Sequence, residues 1–165
     1  MPVEQSVIDA LNVHMGREFE AHLQYLSVSS WFDGEGLPEL TKLFSAQAAE
    51  EHVHAMKFLT YVQDVGGPVV IPALVAPKPA FESAEEAVAG CLEAEERITG
   101  QIHALLDMAI ARNDHATQAF LQWFVTEQVE EVATMSELLQ VTRRAGEANL
   151  LLLEDYAARL ASAPA

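Results

Sequence analysis

Apolar residues recur along this chain in alternating steps of three and four, the spacing of one face of an α-helix. The pattern predicts four long helices. The first runs from about Val3 to Phe32 and stops at Asp33-Gly34-Glu35-Gly36. The second opens at Leu37-Pro38, with Pro38 suited to a first helical turn, and stops before Gly66-Gly67-Pro68. The third opens at Ser83, where Ser83 and Glu86 have capping-box spacing, and ends near Arg112-Asn113-Asp114. The fourth runs from His115 to Arg144. A shorter fifth segment, from Gly146 to about residue 161, carries Leu150, Leu151, Leu153, Tyr156 and Leu160.

The connections set the topology. Short links make the first and second helices antiparallel neighbours, and likewise the third and fourth. The link from Gly66 to Glu82 is different: it is rich in Pro and Val and has no helical period. Its stretch of about 17 residues reaches roughly 55 Å when extended, and a helix of about 28 residues spans roughly 42 Å. The link is therefore long enough to run the length of the bundle and start the third helix parallel to the second. The expectation is one all-α domain over residues 1–165, a four-helix bundle (about 3–144) with a long crossover between the second and third helices and a short fifth helix (about 146–161).

Each seam is interrupted by a carboxylate. The seams read Leu11, Met15, Glu18, His22, Tyr25, Phe32; then Phe44, Gln47, Glu51, His54, Phe58, Tyr61; then Val88, Leu92, Glu95, Ile98, Ile102, Leu105; and finally Leu121, Phe124, Gln128, Glu131, Met135, Leu138. A carboxylate buried alone pays several kcal/mol in lost hydration. It must become neutral or find a partner. The chain has only nine Lys and Arg, and none falls on these seams, so a bound cation is the common answer. Glu18, Glu51, Glu95, Gln128 and Glu131 all fall near the middle of their helices, which puts them at one level of the bundle whatever the helix directions. Glu51 and His54, at i and i+3, share a helix face. An oxygen-rich set with one imidazole and no thiolate suits iron, with manganese the runner-up. Di-iron bundles use one Glu from each of two helices and Glu-x-x-His from each of the others. Here the fourth helix offers Gln128-x-x-Glu131 instead. His22 reads as a core residue or a neighbour of the ligands, Cys91 as core filler, and His52, His103 and His115 as solvated polar residues.

Composition narrows the function classes. A formal net charge of −16 argues against nucleic acid, whose backbone demands Lys and Arg. No apolar run is long enough to span a membrane. The start Met1-Pro2-Val3-Glu4-Gln5 lacks a leader's apolar region, and a single cysteine forms no intrachain disulfide. A cytoplasmic location is expected.

Over nearly its whole length the chain resembles the bacterial non-haem ferritins. The resemblance is carried by Glu18-(x)6-Tyr25, Ala49-Glu50-Glu51-His52-Val53-His54, Glu95-Glu96-Arg97-Ile98-Thr99 and the run Gln122 to Glu131. It implies a ferroxidase that oxidises Fe(II) with O2 or H2O2 and stores the product as a ferric mineral in a 24-subunit cage. Glu18, Glu51 and His54 would hold the first iron, with Glu51 bridging. Glu95 and Glu131 would complete the second, with Gln128 beside it. Glu50, Glu127 and Glu130, with Glu131, look like a third iron site, and Tyr25 like a redox-active tyrosine. The fifth helix would lie at the fourfold axes and the turn Arg112–His115 near the threefold axes, which makes Asp114 the channel candidate. His52 stands where haem-binding bacterioferritins have Met, and Gln128 and Glu131 replace their second Glu-x-x-His, so no haem is expected. A di-iron oxidase on the same bundle would lack the storage cavity and carry that second Glu-x-x-His. A purely structural cage subunit would lack the seam carboxylates.

Overall fold

The structure, a computed structural model, describes residues 3–160. It contains helices α1 (Gln5–Gly34), α2 (Pro38–Asp64), α3 (Ala84–Ala111), α4 (His115–Ala145) and α5 (Leu150–Leu160), with a 3₁₀ turn at Glu147–Asn149 before α5. The first four are of nearly equal length, 27 to 31 residues. Their midpoints therefore coincide when they pack side by side.

Cross-helix contacts fix the directions. Ser29 donates to Thr41 O and His22 Nδ1 pairs with Ala48 O, so α1 and α2 are antiparallel. Tyr25 meets Glu95 while Arg112 meets Glu4, so α1 and α3 are antiparallel too. It follows that α2 and α3 are parallel, as the long crossover requires. That crossover lies against α1 in an ordered sequence of bonds. Asn12 clamps Pro68 O and Val70 N, Glu20 accepts from Val75 N, and Gln24 accepts from Lys78 N. The close approach depends on Gly16, where an added Cβ would lie 2.3 Å from Pro72 Cγ.

The helix ends differ from the sequence expectation by a few residues. α1 continues past Phe32 to Gly34, because Glu35 N still closes a turn on Trp31 O; the reversal comes at Gly36, with φ of 75°. Ser83 caps α3 by accepting from Glu86 N, but the Glu86 carboxylate reaches back to Glu82 N rather than to Ser83. Gly146, with φ of 66°, ends α4, so the fifth helix begins at Leu150 and not at Gly146. Ala161, its expected last residue, lies outside the described residues. α5 packs back onto α2 and α4. The N-cap of α2 is Leu37, which has no capping side chain. Glu154 of α5 does that work, its carboxylate accepting from Glu39 N at 2.5 Å and Leu40 N at 3.0 Å.

The interior is two apolar clusters. One gathers Tyr25, Phe32, Phe44, Cys91, Met135 and Leu138 with their neighbours. The other gathers Met15, Phe58, Ile98, Ile102, Leu121 and Phe124 with theirs. On α2, α3 and α4 the boundary falls at the polar residues, Glu51 and His54 lying between Ala48 and Ala55, Glu95 between Cys91 and Ile98, and Gln128 and Glu131 between Phe124 and Met135; on α1 it falls one turn beyond Glu18, between Ala21 and Tyr25.

Candidate metal centre

Between the two clusters lies one polar layer. Glu18, Glu51, His54, Glu95, Gln128 and Glu131 are all buried, none more than 6% exposed. The ion pairs of Arg17, Lys42, Lys78, Arg112, Arg143 and Arg159 are all with acids outside this layer. Lys57 lies over the Trp123 ring, 3.0 Å from its centroid. Four carboxylates thus share a low-dielectric layer whose ion-pair partners are imidazoles, with the Arg97 charge acting on Glu95 from outside it.

The ligand atoms converge in two groups. Glu18, Glu51 and His54 offer atoms within 4.8 Å of one another, and so do His54, Glu127 and Glu131. His54 joins the two, with Nδ1 3.4 Å from Glu51 and Nε2 3.8 Å from Glu127. Its ring is wedged edge-on against Trp123 and Phe124, which fixes its plane. Glu95 belongs to neither group. Its Oε1 accepts from the Tyr25 hydroxyl at 2.6 Å and its Oε2 from Gln128 Nε2 at 3.1 Å. Gln128 also reaches Glu95 O and Thr99 Oγ1. Each carboxylate oxygen keeps a second lone pair, so these bonds orient Glu95 without removing it as a ligand.

Proton affinities follow from crowding. Burial, then the charges of Glu18 and Glu95, hold Glu51 well above the usual carboxylate range. Burial, then Glu95, Glu50 and Glu127, push Glu131 up to about 8. Glu95 is raised by burial against the opposing bonds from Tyr25 and Gln128. Glu18 goes the other way. Burial raises it, but the bond and charge of His14, a bond with Glu51 and the charge of His54 together bring it below its ordinary value. Burial lowers His54, against the pull of Glu18 and Glu127. Burial and the Glu95 charge lift Tyr25 well above an ordinary phenol. A layer that must hold protons to balance its charge is one that a multivalent cation can discharge.

The other sequence candidates divide. Glu127 approaches His54, with Oε1 3.8 Å from His54 Nε2, and its charge also acts on Glu50. Glu50 is exposed and takes a bond from Gln47, while the Glu127 charge, after partial burial, raises its proton affinity. Glu130 is exposed and outside both groups. His22 holds α1 to α2. Cys91 is buried in the core, and His52, His103 and His115 are exposed. The Asp114 carboxylate caps α4, accepting from Thr117 N and Thr117 Oγ1. Sequence reasoning missed His14. Its Nε2 pairs with Glu18 Oε1 at 2.8 Å, and both residues are buried. The available signal was the i, i+4 spacing of His14 and Glu18.

Comparison with known proteins bears on the same residues. A family model described as a ferritin-like domain matches residues 8–145. Ferritin BfrB of Mycolicibacterium smegmatis is 42% identical over 88% of this chain and 80% of its own. The bacterial non-heme ferritin of Staphylococcus saprophyticus is 33% identical over 95% of this chain and 96% of its own. Among solved structures, an open-pore ferritin from the hyperthermophilic archaeon Archaeoglobus fulgidus superposes with a TM-score of 0.91. It is 35% identical and matches 94% of this chain and 97% of its own.

Proposed function

The chain belongs to the ferritin family, and on that premise we propose that it stores iron, oxidising Fe(II) at an intra-subunit pair of sites and holding the ferric product as a mineral inside a homo-oligomeric cage of 24 subunits. The observation that carries the reading is the buried layer in which Glu18, Glu51 and His54, and again His54, Glu127 and Glu131, offer ligand atoms within 4.8 Å of one another. The proposal treats residues 1–165 as one ferritin-like domain, working in the cytoplasm and without haem. Among the described residues no helix is long and apolar enough to cross a membrane.

In this reading Glu18, Glu51 and His54 take the first Fe(II). Glu131 and Glu127 would take the second, with Glu95, oriented by its Tyr25 and Gln128 bonds, completing it through a remaining lone pair. Glu50, whose charge neighbours those of Glu127 and Glu131, and Glu130, next to Glu131 in sequence, form an outward path or a third position. Iron arrives as substrate. Carboxylate ligands favour Fe(III) over Fe(II), so they lower the barrier to electron loss. Two Fe(II) supply two electrons: one O2 with two protons leaves as H2O2, or one H2O2 with two protons leaves as two waters. Tyr25, whose hydroxyl donates to Glu95 Oε1 at 2.6 Å, would hold that ligand in place beside the centre. Metal binding discharges the protons that Glu51 and Glu131 hold in its absence.

The test is aerobic loading of metal-free protein with Fe(II), then gel filtration read for protein and iron together. Hundreds of irons eluting with a particle of several hundred kDa support storage. About two irons on a small particle would point instead to a di-iron oxidase on the same bundle, and the storage reading would fall.

A further inference from the structure

The layer contains a buried imidazole with no role in the mechanism above. His14 is 3% exposed, lies one helical turn before Glu18, and pairs Nε2 with Glu18 Oε1 at 2.8 Å. The Phe58 ring of α2 packs against it, with centroids 4.7 Å apart and planes inclined at 55°. It borders a groove of about 400 Å³ between α1 and α3, whose lining includes Val13, Arg17, Gln101, Leu105 and Met108. Among the described residues its hydrogen bond is to Glu18, and His14 is in neither ligand group.

The other oxygen of the same carboxylate is the informative one. Glu18 Oε2 is buried and has no hydrogen-bond partner. A buried carboxylate oxygen without a donor costs about 1–3 kcal/mol, and the Glu18 carboxylate belongs to the group with Glu51 and His54. The carboxylate is therefore divided: Oε1 is tied to a fixed ring, and Oε2 has no such tie, in a carboxylate whose other neighbours are Glu51 and His54. Without the tie, rotation about the terminal side-chain torsion, which is broad, would let either oxygen face the ion or let both bind it.

We propose that His14 is a positioning residue that ties down Glu18 Oε1, so that Glu18 meets the first metal ion through Oε2 alone. His14 holds the acceptor of a ligand and not the ion. Partners of this kind typically change metal affinity 10- to 100-fold when removed. The proposal rests on the metal-binding reading above, and the experiment separates failure of the two.

Zn(II) is titrated calorimetrically into metal-free wild type, His14→Gln, His14→Asn and Glu51→Ala, with thermal melts of each metal-free variant as a folding control. Gln still reaches Glu18 with an N–H across one helical turn, whereas Asn is polar but too short. Expected is near wild-type first-site affinity in His14→Gln and a 10- to 100-fold loss in His14→Asn. The Co(II) absorption bands of His14→Asn should also shift from those of wild type, as a changed Glu18 binding mode demands. If both His14 variants bind as tightly as wild type while Glu51→Ala loses the site, the positioning role is wrong and the metal site stands. If wild type binds no more Zn(II) than Glu51→Ala, the metal reading itself is wrong.

Discussion

Replacing Glu131 by Gln removes a titrating group from the layer while nearly keeping its volume. In the metal-free fold this carboxyl is pushed up to about 8 from an ordinary value of 4.5, first by burial and then by Glu95. A folded-state value above the unfolded one means that the group favours the fold fully below pH 4.5 and loses that contribution as pH rises toward 8. The loss accrues at about 1.4 kcal/mol per pH unit, so by pH 7 it reaches about 3 kcal/mol. Relaxation around the charge and sharing of protons with its neighbours bring the expected figure to between about 1 and 3 kcal/mol. Glu131→Gln should therefore match wild type near pH 4.5 and exceed it at pH 7.5, raising the melting temperature of the metal-free protein by about 2–10 °C. Saturating Zn(II) should close or reverse the gap, because a ligand at 100 times its Kd stabilises wild type by about 2.7 kcal/mol and the variant lacks one of its ligands. Melts at the two pH values, with and without Zn(II), are the assay. The same stability difference at both pH values, or a variant less stable at pH 7.5, would refute a crowded, proton-holding layer.

Two further predictions concern how the layer is framed. Gly16→Ala sets a methyl group against the Pro72 ring, since its Cβ would lie 2.3 Å from Cγ. It should lower stability by about 1–3 kcal/mol, and an unchanged melting temperature would show that the crossover is free to move off α1. Glu154→Ala strips the carboxylate from Glu39 N and Leu40 N. It should cost about 1–2 kcal/mol and speed hydrogen exchange at those two amides, whereas unchanged exchange would mean that α5 does not cap α2 in solution.

Much of this was legible in the sequence because the relevant signals are local and periodic. Steps of three and four mark helices, and a glutamate at the same height on each seam marks a polar layer. Pro, Val and the absence of period between Gly66 and Glu82 mark the crossover. Part of what escaped depends on contacts between distant parts of the chain. Glu154 lies more than a hundred residues from the helix it caps. The role of Gly16 is set by Pro72, a residue of the crossover. The approach of Glu127 to His54 joins α4 to α2, a pairing that no spacing along the chain displays. His14 fell one position off the seam at Met15, so a periodic reading passed over it although it is as buried as His54. The end of α4 at Gly146 and the delayed start of α5 turn on a single backbone angle.

The central claim is that the buried Glu18, Glu51 and His54 group is where Fe(II) is oxidised. Stopped-flow absorbance after mixing Fe(II) with aerobic metal-free protein tests it most directly, comparing wild type with Glu51→Ala at equal assembly on gel filtration. The account predicts a fast phase in wild type, saturating near two Fe(II) per subunit, and its loss in Glu51→Ala while the particle stays intact. A fast phase of the same rate and amplitude in both proteins would contradict it.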